Sequence, residues 1–389
     1  MATTVAEYVH HQRHRGRAHG PHAWHRRSHR APDAPTGSSG SRQFVSTPST
    51  GSAASNLTLR SEPLPNQWND MKFQYIEEGV SFPSGDSECR GWLYWPPKAN
   101  NSESLGLVVI AHGFGGTHLS QYGRRAMRIV ESGCAVLDFD PRGFGASPGS
   151  PRGRLRLADW IADLEAAVSY ARGLSGIDPE RIGLFGSSLG GGLALEVAAR
   201  DSRIAAVDVI VPLVDGLFVT PGTPVADRLR SASAILRDLV GRRLGRPPIP
   251  VPAVGLPGSG ALIVGEADYR SFFSIFEGVD GLEWLEPHSV ASHSELGEWR
   301  NAVTAAELIT LPLFRPGRRA DRITAPLLAQ IASQDRVAPA WIQRRLLSRA
   351  PHVEFRNMPT GHFDSFSGEW FERTAAADID FFSRTLAAK

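Results

Sequence analysis

One serine lies between two glycines where a strand pattern changes into a helix pattern, and this stretch constrains the fold most. Residues 182–185 are typical of a short buried strand, and residues 191–200 are typical of a helix that begins with small side chains. Between them stand Gly186, Ser188 and Gly190. A serine in a sharp strand-to-helix turn needs nearly side-chain-free residues two positions before and after it. The alternative is a Gly/Ser-rich turn with no chemistry.

Ser188 is therefore the candidate nucleophile, because the neighbouring Ser187 lacks a glycine pair at that spacing. Backbone N–H groups at the start of a helix have no intrahelical partner and can stabilise a developing oxyanion. The N–H of Leu189, the residue after the candidate nucleophile, is expected to be one such donor. The stretch predicts a serine that attacks a carbonyl carbon.

The composition bounds the class of protein. Hydrophobic residues make up 41% and charged residues 21% of the 389 positions, which is ordinary for a globular chain. No apolar run approaches 18 residues, so no transmembrane helix is predicted. The net charge of +2 comes from the first 30 residues, which hold six arginines against one acid, so the remainder is mildly acidic. Binding of nucleic acid by the folded part is not indicated.

Residues 1–66 are expected to form a disordered tail and linker. Seven of the 13 histidines fall in the first 30 residues, and residues 31–60 are rich in Ser, Thr, Gly and Pro. No apolar segment of a signal peptide follows the basic residues, so a cytoplasmic location is expected. Cys89 and Cys134 lie in strand patterns and fit two buried free thiols, with one disulfide as the alternative.

Strand and helix patterns alternate through the rest of the chain, which predicts an α/β fold. Apolar strands separated by helices are typical of a mainly parallel sheet with helices on both faces. This core is assigned to residues 67–215 and 321–389. The expected strands are residues 73–82, 88–95, 105–111, 134–139, 182–185, 204–211, 327–332 and 352–358, and the expected helices are residues 121–132, 157–172, 191–200, 339–350 and 369–386.

Residues 216–320 are too many for a loop and are predicted to be a mostly helical insertion after the sixth strand. Helices are expected at residues 229–240, 269–276 and 302–313. The insertion holds more aromatic side chains than a surface loop needs. We expect it to cover the site and to contact substrate through Phe272, Phe273 and Trp284, the alternative being that these residues form only the insertion's own core.

Three further stretches supply groups that an activated serine needs. Residues 112–116, His-Gly-Phe-Gly-Gly, follow a strand, and the N–H of Phe114 is the candidate second oxyanion donor. His362 follows the last strand and is the candidate general base. Asp335, after the preceding strand, is the candidate acid that orients the histidine, and Asp215 at the end of the sixth strand is its competitor. The alternatives are an ordinary glycine-rich turn for the first stretch, a structural role for His362, and a turn-capping role for either aspartate.

The serine, aspartate and histidine in this chain order, with a glycine-rich loop after an early strand, resemble the α/β-hydrolase superfamily. Residues 140–147, Asp-Pro-Arg-Gly-Phe-Gly-Ala-Ser, also resemble a loop common in that superfamily. The likeness covers about residues 72–389. The stretch from Gly361 to Asp364 and the proline-rich insertion are similar to capped esterase-like members related to X-Pro dipeptidyl peptidases and to fungal polyketide acyltransferases. The resemblance implies a cap domain over the site.

The leading hypothesis is a serine hydrolase that cleaves a carboxylic ester or thioester through an acyl-enzyme. The alternatives are an acyltransferase with the same acyl-enzyme and a non-catalytic small-molecule binder. Gly143-Phe144-Gly145 follows a strand, but the dinucleotide pattern fails because its sixth position is Pro148. No zinc or Walker motif occurs, so no metal and no cofactor are expected. The expected partner is a small acyl substrate, with no nucleic acid and no membrane.

Overall fold

The computed structural model of the chain describes residues 75–97, 104–118, 123–275, 290–293 and 297–386. The whole of the expected tail (residues 1–66), the start of the folded part near Gln67, and Trp284 in the insertion lie outside the described residues.

Within the described ranges, eight strands form one sheet. They are β1 (Ile76–Ser84), β2 (Ser87–Trp95), β3 (Leu105–Ala111), β4 (Ala135–Asp140), β5 (Ile177–Ser187), β6 (Ile204–Ile210), β7 (Leu327–Ala332) and β8 (Val353–Met358). Their spatial order is β1-β2-β4-β3-β5-β6-β7-β8. β2 runs antiparallel to β1 and β4, and every pair from β4 to β8 is parallel. The prediction of a mainly parallel sheet is confirmed.

Helices cover both faces of this sheet. The described part of the chain contains α1 (Gly123–Ile129), α2 (Leu157–Arg172), α3 (Leu189–Ala198), α4 (Val225–Arg243), α5 (Glu266–Ser274), α6 (Ala340–Leu347) and α7 (Gly368–Leu386). Strand β3 shows how the faces divide, because successive side chains of a strand point to opposite sides. Leu107 and Val109 pack in the cluster with α2 and α3, whereas Val108 and Ile110 pack in the cluster with α1 and α7.

The chain between β6 and β7 forms the insertion, which carries α4 and α5. The insertion predicted after the sixth strand is present, and two α-helices lie in its described residues. Short strand pairs also occur there: Pro250–Val251 with Val303–Thr304, Val254–Gly255 with Ile263–Val264, and Val290–His293 with Gly297–Arg300. In the described ranges, no helix is both long and apolar enough to cross a bilayer.

The prediction of one helix in the insertion is wrong. Residues 302–313 were expected to be α-helical, but Val303–Thr304 is a strand and Ala306–Leu313 is a 3₁₀ helix. Pro312 has no N–H to donate to the preceding turn, and its ring clashes with the backbone of an α-helix interior. Val303 is β-branched and pairs with Val251 instead.

Candidate active site

Ser188 occupies a sharp turn between β5 and α3. Its backbone has φ 50° and ψ −118°, a strained region for a residue with a side chain. Added Cβ atoms show why glycines flank it. At Gly186 a Cβ would lie 2.4 Å from Gly190 O, and at Gly190 it would lie 2.0 Å from Ala111 O. The turn therefore closes only without these two side chains, and it presses the elbow against the end of β3.

His362 connects Ser188 to Asp335. Its Nδ1 is 2.7 Å from Asp335 Oδ2, and its Nε2 is 2.9 Å from Ser188 Oγ. The carboxylate accepts a hydrogen bond from Nδ1–H, which leaves Nε2 free to accept one from the serine hydroxyl. The side chains of His362 and Asp335 are both fully buried, while Ser188 is partly exposed. These contacts give the arrangement required for general-base activation of a serine.

The other carboxylate oxygen of Asp335 holds the acid in place. Asp335 Oδ1 accepts from the N–H groups of Val337 and Ala338, both at 2.8 Å. Because the turn after β7 provides both donors, the position of the acid is set by backbone rather than by flexible side chains. This fixed carboxylate leaves Oδ2 directed at the histidine.

Asp215 lies in a different setting. It caps the short 3₁₀ helix Gly216–Phe218, where its Oδ1 accepts from Leu217 N at 3.1 Å. Its carboxylate also faces the guanidinium groups of Arg315 and Arg318, at 3.1 and 3.4 Å. The structure thus places Asp335 beside the histidine and gives Asp215 contacts at the entrance to the insertion.

Phe114 and Leu189 lie on adjoining segments. Phe114 follows β3 in the glycine-rich loop, in which Gly116 N donates to Gly113 O at 2.9 Å. Leu189 is the first residue of α3, where a backbone N–H has no intrahelical acceptor. The contact between the elbow and the end of β3 brings these segments together.

A buried cluster that was not predicted from the sequence holds this loop in place. Asp138 on β4 is completely buried and uses both oxygens: Oδ1 lies 2.5 Å from His112 Nε2, and Oδ2 lies 2.6 Å from His118 Nδ1. Asp140 Oδ1 accepts from His118 N at 2.7 Å. One strand therefore holds both ends of the loop that carries Phe114. Two aspartates in an otherwise apolar strand were the available sequence signal.

Protonation in this cluster follows from its contacts. Burial raises the pKa of Asp138, but the charge of His112 and hydrogen bonds from both histidines outweigh it and hold that pKa below its usual range. Burial lowers the pKa of His118, and the hydrogen bond and charge of Asp138 reverse this, so the pKa of His118 is raised. His118 also stacks on Trp92, with ring centroids 3.8 Å apart.

Helix α5 of the insertion packs against the histidine loop. Phe272 makes an edge contact with Phe363, the residue after His362, at 5.2 Å between ring centroids, and Phe273 contacts Phe272 at 5.3 Å. Both phenylalanines are partly exposed. Ser271 Oγ donates to Asp364 Oδ1 at 2.9 Å. The structure brings two of the three predicted substrate contacts near the histidine loop.

Asp268 on α5 is a second residue that the sequence analysis missed. Its half-buried carboxyl has a raised pKa, chiefly because of burial. The charges of Asp335 and Asp364 raise this pKa further, and those of His362 and Arg336 oppose the rise.

In the described part of the chain, no group of three or more His, Cys, Asp or Glu side chains is placed to hold a metal ion.

A sheet of this order, with a serine elbow after β5, an acid after β7 and a histidine after β8, defines an α/β-hydrolase fold. The chain belongs to the α/β-hydrolase superfamily, and the resemblance seen in the sequence is confirmed.

Comparisons with known proteins give this membership its detail. The family described as serine aminopeptidase, S33, matches residues 102–234. Quorum-quenching protein AidA of Acinetobacter baumannii (strain MDR-ZJ06) is 33% identical over 310 residues, which is 80% of this chain and 95% of AidA. Polyketide transferase ATR5 of Stachybotrys chlorohalonatus is 27% identical over 315 residues, 79% of this chain and 97% of ATR5. The crystal structure of the α/β hydrolase GrgF from Penicillium sp. sh18 matches with TM-score 0.62 and 22% identity, over 80% of this chain and 99% of that one.

Proposed function

We propose that this protein is a serine hydrolase that cleaves a carboxylic ester or thioester through an acyl-enzyme on Ser188. The observation that carries the proposal is the continuous hydrogen-bonded line from Ser188 Oγ through His362 to Asp335. Each group in it has the chemistry that its step needs: a hydroxyl nucleophile, an imidazole base and a buried carboxylate that only accepts.

Acylation begins when Ser188 Oγ attacks the acyl carbon and His362 Nε2 takes the hydroxyl proton. Asp335 stabilises the imidazolium by accepting from Nδ1. The N–H groups of Phe114 and Leu189 stabilise the negative oxygen of the tetrahedral intermediate. When the carbon–oxygen or carbon–sulfur bond breaks, His362 gives its proton to the leaving alcohol or thiol. Water then attacks the acyl carbon of the acyl-enzyme while His362 takes its proton. His362 passes that proton to Ser188 Oγ as the acid product leaves.

An acyltransferase is the second candidate. ATR5, 27% identical over most of both chains, is named a polyketide transferase. The two activities share every step up to the acyl-enzyme and differ in whether water or an alcohol resolves it. No residue described above distinguishes the two acceptors, so the choice depends on the space beside Ser188.

The insertion is proposed to be a cap that selects the acyl group. We assign it residues 216–320, with the hydrolase core at residues 67–215 and 321–389. Packing of Phe272 on Phe363 supports a position beside the site, since a side chain one contact away from the histidine loop can limit acyl length. Trp284 lies outside the described residues, so its contact with substrate stays a prediction from the sequence.

The test is a panel of p-nitrophenyl esters of increasing acyl length, with a matching thioester, assayed with and without added alcohols. The proposal expects nitrophenol release that Ser188→Ala abolishes and an optimum at one range of acyl length. If alcohol diverts most of the acyl group into a new ester without changing nitrophenol release, the acyltransferase is correct. Turnover on no ester or thioester would contradict both.

A further inference from the structure

Helix α4 of the insertion presents five of its apolar side chains to solvent. Val225, Leu229, Leu236 and Val240 are 72%, 66%, 64% and 50% exposed, and Ala232 between them is also exposed. Their spacing of four, three, four and four residues places all five on one narrow stripe of the helix. An apolar stripe on the outside of a helix is unusual for a surface that contacts only water.

The opposite face of α4 is held by two buried aspartates, and Ala234 and Ile235 beside them pack against the main core. Asp227 and Asp238 are buried and accept hydrogen bonds from backbone N–H groups of the surrounding loops. Asp227 accepts from Gly258 and Gly260, and Asp238 accepts from Ile249 and Ala306, at 2.8 to 3.1 Å. Turning the helix to bury its leucines would leave these N–H groups unsatisfied. The outward direction of the stripe is therefore fixed by the fold.

The stripe is symmetric about its own centre. The midpoint between Ala232 and Ser233 is equally far from Leu229 and Leu236, and equally far from Val225 and Val240. A two-fold axis through that point would pair each valine with the other valine and each leucine with the other leucine of a second, antiparallel helix. The small Ala232 then lies where the helices approach most closely. Self-complementarity of this kind is what an isologous interface requires.

We propose that the stripe of α4 (Val225, Leu229, Ala232, Leu236 and Val240) binds the same stripe of a second copy of this chain in an antiparallel pair. Burying four such side chains at their present exposure removes roughly 250 Å² of apolar surface per copy, at about 60–120 Å² for each full side chain. With the usual polar rim, the total is on the order of 800 Å², which is below the roughly 1,200 Å² of stable specific interfaces and in the range of weak, transient ones. The dimer is therefore weak and depends on protein concentration.

The salt dependence of binding distinguishes a second copy of this chain from an anionic bilayer. The exposed arginines Arg228, Arg230 and Arg237 flank the stripe, and the two acids of α4 are both buried. Pairing two such helices brings like charges together, so salt strengthens the dimer by screening them. Binding to anionic lipid would weaken with salt instead.

The first test is sedimentation velocity of the full chain over a hundred-fold range of concentration, at low and high salt. The wild type is expected to dimerise more at high salt, and Leu229→Arg and Leu236→Arg are expected to stay monomeric with unchanged melting temperatures. Leu313→Arg is the matched control, because Leu313 is 79% exposed but lies outside α4. A monomeric wild type at every concentration, or dimers of both α4 variants, would overturn the proposal.

The second test fixes the register by disulfide trapping. Ala232→Cys is expected to cross-link to itself on mild oxidation, whereas Val225→Cys and Val240→Cys are expected to cross-link only when mixed, since each lies about 22 Å along the helix axis from its own image. The native Cys89 and Cys134 are buried and free, which keeps the background low. Cross-linking of Val225→Cys alone, or salt-sensitive binding of the wild type to anionic vesicles without any dimer, would contradict the antiparallel pair.

Discussion

Ser188 adopts a backbone conformation that costs a residue with a side chain on the order of 1–3 kcal/mol, and its neighbours offset that cost. Its N–H donates to Ile210 O at 3.0 Å, and its C=O accepts from Gly192 N and Leu213 N at 3.1 and 2.8 Å. The sequence could indicate this turn because the steric need for Gly186 and Gly190 is local.

Local sequence favoured Asp335 over Asp215 as the acid but could not settle the choice. Both aspartates follow strands, and which of them meets His362 depends on the order of strands in the sheet. β8, which precedes His362, pairs with β7, which precedes Asp335, whereas Asp215 follows β6, one strand further away. Strand order is a property of the whole sheet, so it is visible only in the structure.

Replacing the acid by its amide separates the two aspartates. Asp335→Asn is expected to lower kcat about 10⁴-fold with folding intact, because the histidine is then held in the wrong tautomer. Asp215→Asn is expected to lower kcat ten-fold or less, about 1.4 kcal/mol. Steady-state kinetics on the best ester and a thermal melt of each variant measure this. The reverse order of effects would move the acid to Asp215.

Helix α4 shows that a sequence pattern can predict a helix without predicting which of its side chains are buried. Its periodicity predicted a helix, and α4 spans Val225–Arg243. Such a pattern ordinarily predicts buried leucines and exposed acids. The structure has the reverse, because Asp227 and Asp238 take up N–H groups of loops far along the chain. Partners so distant in sequence leave no local signal.

The loop held by β4 gives a pH-dependent prediction. The pKa of His118 is raised in the folded chain, so its protonated form is stabilised. That stabilisation is present at pH below about 6.5, its unfolded value, and is lost as pH rises through the folded value. The melting temperature of wild type minus that of His118→Gln is therefore expected to be largest near pH 6 and to shrink toward pH 9. A difference that grows with pH would contradict the charged contact with Asp138.

Helix α5 gives a prediction about specificity. Phe272→Ala and Phe273→Ala are expected to change the ratio of kcat/KM for long and short acyl esters by ten-fold or more, the scale of a changed apolar pocket. Phe218→Ala is the matched control, because Phe218 packs on Trp341. Equal losses on all esters in the α5 variants would assign the phenylalanines to the cap's own core.

At the scale of the whole molecule, the sheet brings together residues far apart in the chain. Ser188 and His362 are 174 positions apart, and Asp335 and His362 are 27 apart, with the insertion between the elbow and the acid. The alternation of strands and helices was enough to predict this core. The short strand pairs of the insertion were not predicted, since strands of two to four residues carry too little pattern.

The N-terminal residues give a prediction for the whole chain. Deleting residues 1–60 is expected to leave kcat/KM and the melting temperature almost unchanged, because their composition offers too little apolar surface to offset the entropy of ordering. Ester kinetics and calorimetry of the truncated and full chains measure this. A melting temperature lower by several degrees would show that this segment stabilises the rest.

The most direct test of Ser188 as the nucleophile is to find the residue with which a fluorophosphonate probe reacts. Peptide mass spectrometry of the labelled wild type is expected to find the adduct on Ser188. Ser187→Ala is expected to label like wild type, because Ser187 is buried and Ser188 carries the contact with His362. Ser188→Ala is expected to lose labelling and about a million-fold in kcat. An adduct on Ser187, or undiminished labelling of folded Ser188→Ala, would contradict the assignment of Ser188 as the nucleophile.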